Sequence, residues 1–214
     1  MQSLRIFLAS LAIAGVASAQ NTLIIPSTVD EVTDGTTSNS APFGHDGFSG
    51  GTDSLRTQYI YSSDNFASIA TPIYIDRIKF RADQASQTQS GVGGIWQNTE
   101  IRLGPSGQEW DNVTSTFVAN YPGGIEPPPA YAGPVTVMPW SGNYQWNAGD
   151  WFVDVQLTTP VYYDPRNGDD FIVDVRNDGT LIGSITGLWQ CDEDFDHCDV
   201  TRIQDTTNWG AVTG

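Results

Sequence analysis

A chain of 214 residues suits one domain, and 39% hydrophobic with 16% charged residues exclude a disordered coil and allow a proper core. The net charge is -16, and Lys79 is the single lysine. No cluster of bases is available to displace counterions from phosphates, which excludes nucleic acid as a partner and disfavours anionic membrane surfaces.

The first element is a leader. Arg5 precedes an apolar run from Ile6 to Val16, and Ala17-Ser18-Ala19 supplies the small-x-small pattern a signal peptidase accepts. The run is short for a membrane helix. The expectation is a signal peptide over residues 1–19, cleaved after Ala19, and a secreted or cell-surface product starting at Gln20. No second long apolar stretch follows, so no transmembrane segment is expected in the mature chain.

Residues 20–54 form a loop-rich N-terminal segment, with turn signals at Gly44-His45-Asp46-Gly47 and Gly50-Gly51. The domain proper is expected over residues 55–214. Arg56 to Ser62 places Thr57, Tyr59 and Tyr61 on one strand face. In Pro72 to Arg81, Ile73 and Ile75 are followed by Ile78 and Phe80, a slip at Asp76-Arg77 that predicts a β-bulge. Glu100 to Leu103 reads as a short strand stopped by Gly104-Pro105. Val113 to Ala119 reads as a further strand. Gly123 to Pro129 is an irregular connection that proline keeps from pairing, and Pro134 to Met138 is another short strand.

The clearest alternation comes late. Trp151, Val153, Val155 and Leu157 share one face, as do Phe171, Val173 and Val175. No window of the mature chain sustains a helical period. Many short strands between Gly, Pro, Asn and Asp turns predict an all-β fold, an antiparallel β-sandwich of jelly-roll type.

A family resemblance rests on these strand motifs. Tyr59-Ile60-Tyr61, Pro72-Ile73, Ile78-Lys79-Phe80-Arg81 and Ile101-Arg102-Leu103 form one pattern. Thr158-Thr159-Pro160, Tyr163-Asp164-Pro165 and Val173-Asp174-Val175-Arg176 continue it in order. Over roughly residues 55–180 the chain resembles secreted bacterial β-sandwich proteins that often carry a PEP-CTERM-type sorting tail. The resemblance implies a fold and an extracellular location, and no activity. The segment Asn208 to Gly214 departs from it, having no apolar anchor helix and no basic tail.

Four constellations could carry chemistry. Cys191 and Cys198 are expected to pair as a disulfide in an oxidising compartment. Between them Asp192, Asp194 and Asp196 alternate as at the start of a Ca²⁺ loop, but His197 and Ile203 stand where that loop needs Gly and Glu. A solvated hairpin tip is the plain reading and a Ca²⁺ site the functional one; no other cofactor is implied. Glycosidase chemistry needs two carboxyl groups across a cleft. Glu100 at the start of a strand could serve with a second carboxylate, and Asp154 and Asp174, opposite the core pattern, could line one sheet. His45 and His197, the only histidines, come without the motifs of a serine hydrolase or zinc enzyme. Seven tryptophans suggest sugar-stacking platforms. The best patch is Trp140, Asn143, Tyr144 and Trp146, where aromatics flank amide donors, while the alternation assigns Trp151 to the core.

The reading that follows is an extracellular structural or binding module without catalysis, with a glycan or another cell-surface component as its partner. The alternatives are a glycosidase-like enzyme using a carboxylate pair and a calcium-stabilised adhesive or matrix protein.

Overall fold

A computed structural model describes residues 22–27, 37–39, 41–43, 54–81, 93–138, 151–184, 191–193, 200–205 and 210–214. The leader and its cleavage site lie outside these. The described residues form strands β1 (Thr37–Asn39), β2 (Leu55–Tyr61), β3 (Ile73–Arg81), β4 (Gly93–Pro105) and β5 (Tyr131–Val137). They continue with β6 (Trp151–Tyr163), β7 (Phe171–Asn177), β8 (Leu181–Ser184), β9 (Cys191–Glu193) and β10 (Val200–Asp205). No helix among the described residues is long and apolar enough to cross a membrane.

The architecture is the expected all-β sandwich, with every pairing antiparallel. One sheet has six strands in the order β10-β2-β7-β4-β5, with β8 also pairing β4. The facing layer is the two-stranded ribbon β3-β6, and β1 pairs β9 separately. The core lies between sheet and ribbon. Tyr59, Ile101, Leu103, Phe171, Val173 and Val175 come from the sheet; Val153, Val155 and Leu157 come from the ribbon, with Ile73, Ile75, Ile78 and Phe80 packed against them. These are the alternating apolar positions of each strand, because only one side of a pleat faces the opposite layer. Phe66, Tyr163 and Phe171 close one end, with ring centroids 4.8–5.4 Å apart in the edge-to-face and tilted contacts that aromatic quadrupoles favour.

Part of the loop-rich N-terminal segment belongs to this core. Phe43 is fully buried, its carbonyl accepts from Trp96 Nε1 at 3.1 Å, and the Pro42 carbonyl accepts from Asn177 Nδ2 at 3.0 Å.

The slip expected at Asp76-Arg77 coincides with a register shift between Ile75 and Arg77, but the extra residues lie in β6, where Leu157 to Pro160 stand against Asp76 alone. Three expectations are corrected. Val113 to Ala119 is not a strand: a 3-10 turn spans Phe117–Asn120. Its apolar residues serve a second layer over the outer side of the six-stranded sheet, where Tyr121, Ile60 and Ile172 form a small core of their own. For the same reason β7 is not half-buried; all seven of its residues are buried. Finally, Trp151 is not in the core. A second register shift, between Phe80 and Arg81, inserts Phe152, so that Phe152 and Val153 both turn inward. Trp151 then pairs with Arg81 and meets Lys79, whose ammonium lies 5.5 Å from its ring.

Candidate functional site

The residues singled out from sequence separate in space. Trp140, Asn143, Tyr144 and Trp146 lie outside the described residues, as do Asp194, Asp196, Cys198, His45 and His197. Cys191 and Asp192 are described as backbone of β9, opposite Asn39 and Ser38 of β1. The disulfide and the Ca²⁺ reading therefore fall outside the described residues. Among those described, no group of three His, Cys, Asp or Glu residues is placed to hold a metal ion.

Asp154 and Asp174 do not line one sheet. Asp154 lies on the ribbon and Asp174 on β7 of the six-stranded sheet, because the two Val-Asp-Val strands belong to opposite layers. Each sits in a charged patch, and the two patches differ.

The outer face of the ribbon is open. Tyr74 and Tyr162 are directly paired across it, 72% and 51% exposed, with ring centroids 5.4 Å apart. Beyond them Arg77 Nε donates to Gln156 Oε1 at 3.2 Å and Arg77 Nη1 to Asp154 Oδ2 at 3.4 Å. Gln156 Nε2 donates to the Asp76 carbonyl at 2.7 Å, and Lys79 Nζ stands 3.8 Å from Asp154. Trp151 ends the row. From Tyr74 to Arg81, the partner of Trp151, the strand rise of about 3.3 Å per residue gives roughly 20 Å. The face thus carries rings at both ends and guanidinium, ammonium, carboxylate and amide groups between them.

The second patch is closed. Three adjacent strands each carry two polar residues at alternate positions: Arg56 and Gln58 on β2, Asp174 and Arg176 on β7, Glu100 and Arg102 on β4. Register stacks them into two rows, Arg56-Arg176-Glu100 and Gln58-Asp174-Arg102. Asp174 is fully buried. Its Oδ2 accepts from Arg56 Nη2 at 2.7 Å, Tyr121 Oη at 2.9 Å and Gln58 Nε2 at 3.3 Å. Burial and the Asp174 charge push the Tyr121 phenol far above its ordinary range. The Arg56 guanidinium also lies over the Phe117 ring at 4.2 Å and donates to the Ala211 carbonyl at 2.6 Å.

Glu126 covers this network from above. It pairs with Arg56 Nη2 at 2.8 Å, with Arg176 Nη2, and with Arg102 Nε at 3.8 Å. Arg102 also holds Glu100 at 2.8 Å and the Pro127 carbonyl at 3.0 Å. Burial, with Arg56 and Arg102 close by, lowers the Arg176 guanidinium to about 10. It remains a cation at neutral pH, and the shift records the crowding of positive charge.

Sequence reasoning missed Tyr74, Tyr162 and the arginine cluster. The signal was present as charged or polar residues two apart in three strands, but it becomes a cluster only once those strands are known to be neighbours.

Comparison with family models, with curated proteins and with solved structures finds no match.

Proposed function

We propose that this chain is an exported, non-catalytic binding module whose ligand is a glycan, taken up on the outer face of the β3-β6 ribbon. The observation that carries the reading is the exposed pair Tyr74 and Tyr162, continuous with the row Arg77, Gln156, Asp154 and Lys79 and ending at Trp151. Sugar rings offer apolar faces to aromatic side chains and hydroxyls to paired donors and acceptors, and this row offers both. Its length suits several sugars in line, so a linear chain fits better than a single small molecule.

The carboxylates weigh against the glycosidase alternative. A glycosidase acid must deliver a proton to the leaving oxygen. Glu100 and Glu126 are near one another through Arg102, but each is held by guanidinium groups, which neutralise them in place.

A glycan array on the chain from Gln20 onward tests the proposal. Selective binding that falls at least about tenfold, or 1.4 kcal/mol, in Tyr74→Ala/Tyr162→Ala is expected. Release of reducing ends that stops in Glu100→Gln would restore the enzyme reading. No binding at all would leave a structural surface protein.

A further inference from the structure

The arginine cluster does more than tie three strands together. Arg56, Arg102 and Arg176 are each more than nine-tenths buried, and all three point at one carboxylate, that of Glu126. Arg56 Nε is buried without a hydrogen-bond partner, and Arg176 Nε reaches only Asp174 Oδ1, at 3.5 Å. Three strands thus assemble a preformed cationic site, and the group that fills it comes from elsewhere in the chain.

That group sits on a strap pinned at its two ends, where the Gly124 and Ile125 N–H groups donate to the Tyr121 and Pro122 carbonyls and the Ala130 N–H donates to the Ile101 carbonyl. Gly123 and Gly124 have φ of 64° and 67°, a left-handed region in which glycine is at ease, and they make the turn into the strap. Pro127, Pro128 and Pro129 follow Glu126 and have no N–H to donate. Ile125, the neighbour of Glu126, is 74% exposed. Between those ends the strap is held down at Glu126 and at the Pro127 carbonyl, both by the arginines.

We infer that Arg56, Arg102 and Arg176 form a carboxylate-binding site whose resident is the chain's own Glu126, and that a free monocarboxylate can take its place. The charges specify the ligand class. Three guanidinium groups face Asp174, Glu100 and Glu126, so removing Glu126 leaves one positive charge unbalanced. A single negative charge restores neutrality, and a planar carboxylate matches the fork of an arginine. The site is separate from the ribbon face and does not depend on what binds there.

The test is chemical rescue. Glu126→Ala should melt on the order of 10 °C below the wild type, as expected when buried guanidinium groups lose a partner. Formate or acetate should restore most of the loss saturably, as ligand linkage requires. Chloride at equal ionic strength should not. A variant that melts like the wild type, ignores formate, or responds equally to chloride overturns the proposal. Should Glu126→Ala not fold even with formate present, the wild type decides by competition. Amide exchange at Gly124 and Ile125 should then run faster in formate than in equimolar chloride, and equal rates would overturn the inference.

Discussion

Two arginine–aspartate pairs, one on each layer of the sandwich, show how burial changes the meaning of the same chemistry. Arg56 and Asp174 meet at 2.7 Å with side chains 4% and 0% exposed. Arg77 and Asp154 meet at 3.4 Å with side chains 42% and 44% exposed. In the first pair each charge has lost water and depends on its partner, so the pair fixes how strands and covering layer fit. In the second, water competes for both groups, and the pair remains available to a ligand.

The largest effect should come from breaking the buried pair. Asp174→Ala takes from the Arg56 guanidinium the more buried of its two carboxylates and removes the acceptor of Tyr121 and Gln58. It should lower the unfolding free energy by about 3–5 kcal/mol, read by urea denaturation. A loss under about 1 kcal/mol would mean that water reaches the network and that the contrast between the layers is false.

A middle effect is expected at the phenol. Tyr121→Phe removes one hydrogen bond to a buried carboxylate and should cost about 2 kcal/mol. Alkaline pH sharpens the point. Burial and nearby carboxylates push the Tyr163 phenol up to about 12, and Tyr121 is pushed in the same direction. The folded protein keeps these protons while the unfolded chain releases them near the ordinary value of about 10. Their contribution is full below pH 10 and is lost as pH rises through the folded values. Arg176, with its folded value lowered to about 10, acts in the opposite sense over the window up to its ordinary 12.5. Burial raises the Tyr131 phenol as well, so with three phenols against one guanidinium stability should fall above pH 10, and Tyr121→Phe should flatten that fall. A stability curve that does not change slope there would remove this account.

The smallest effect belongs to the ribbon. Arg77→Ala should change stability by no more than about 0.5 kcal/mol in the same urea assay. A loss of several kcal/mol would show that the outer face is structural, and would weaken the glycan reading.

The sequence carried the sandwich because its core positions follow a two-residue period, which Phe171, Val173 and Val175 obey in both sequence and structure. It carried the slip in β3 because Asp76 breaks that period visibly, but not the four β6 residues set against it. It did not carry the second layer. Val113 and Phe117 are apolar residues that alternation assigns to a strand, yet they cover a sheet face, and nothing local tells the two uses apart. The charge network was also hidden. Arg56, Glu100 and Arg176 are far apart in the chain, and only the antiparallel register sets them side by side. The ribbon tyrosines were hidden for a related reason: Tyr74 and Tyr162 face each other only through the β3-β6 pairing.

The extra residue at Phe152 has a further consequence. A strand is a parity code in which odd and even positions read inside and outside, and an inserted residue inverts the code for everything on one side of it. Here the inversion falls on the first position of β6 and sets one indole, half-buried, on the opposite side from Val153. Regular pairing through Phe152 would instead set Trp151 on the same side as Val153 and blank one end of the face without altering any side chain on it. Such a surface can be gained or erased by the presence of a bulge alone, so homologues of this chain are better compared by the phase of β6 than by whether tryptophan is retained.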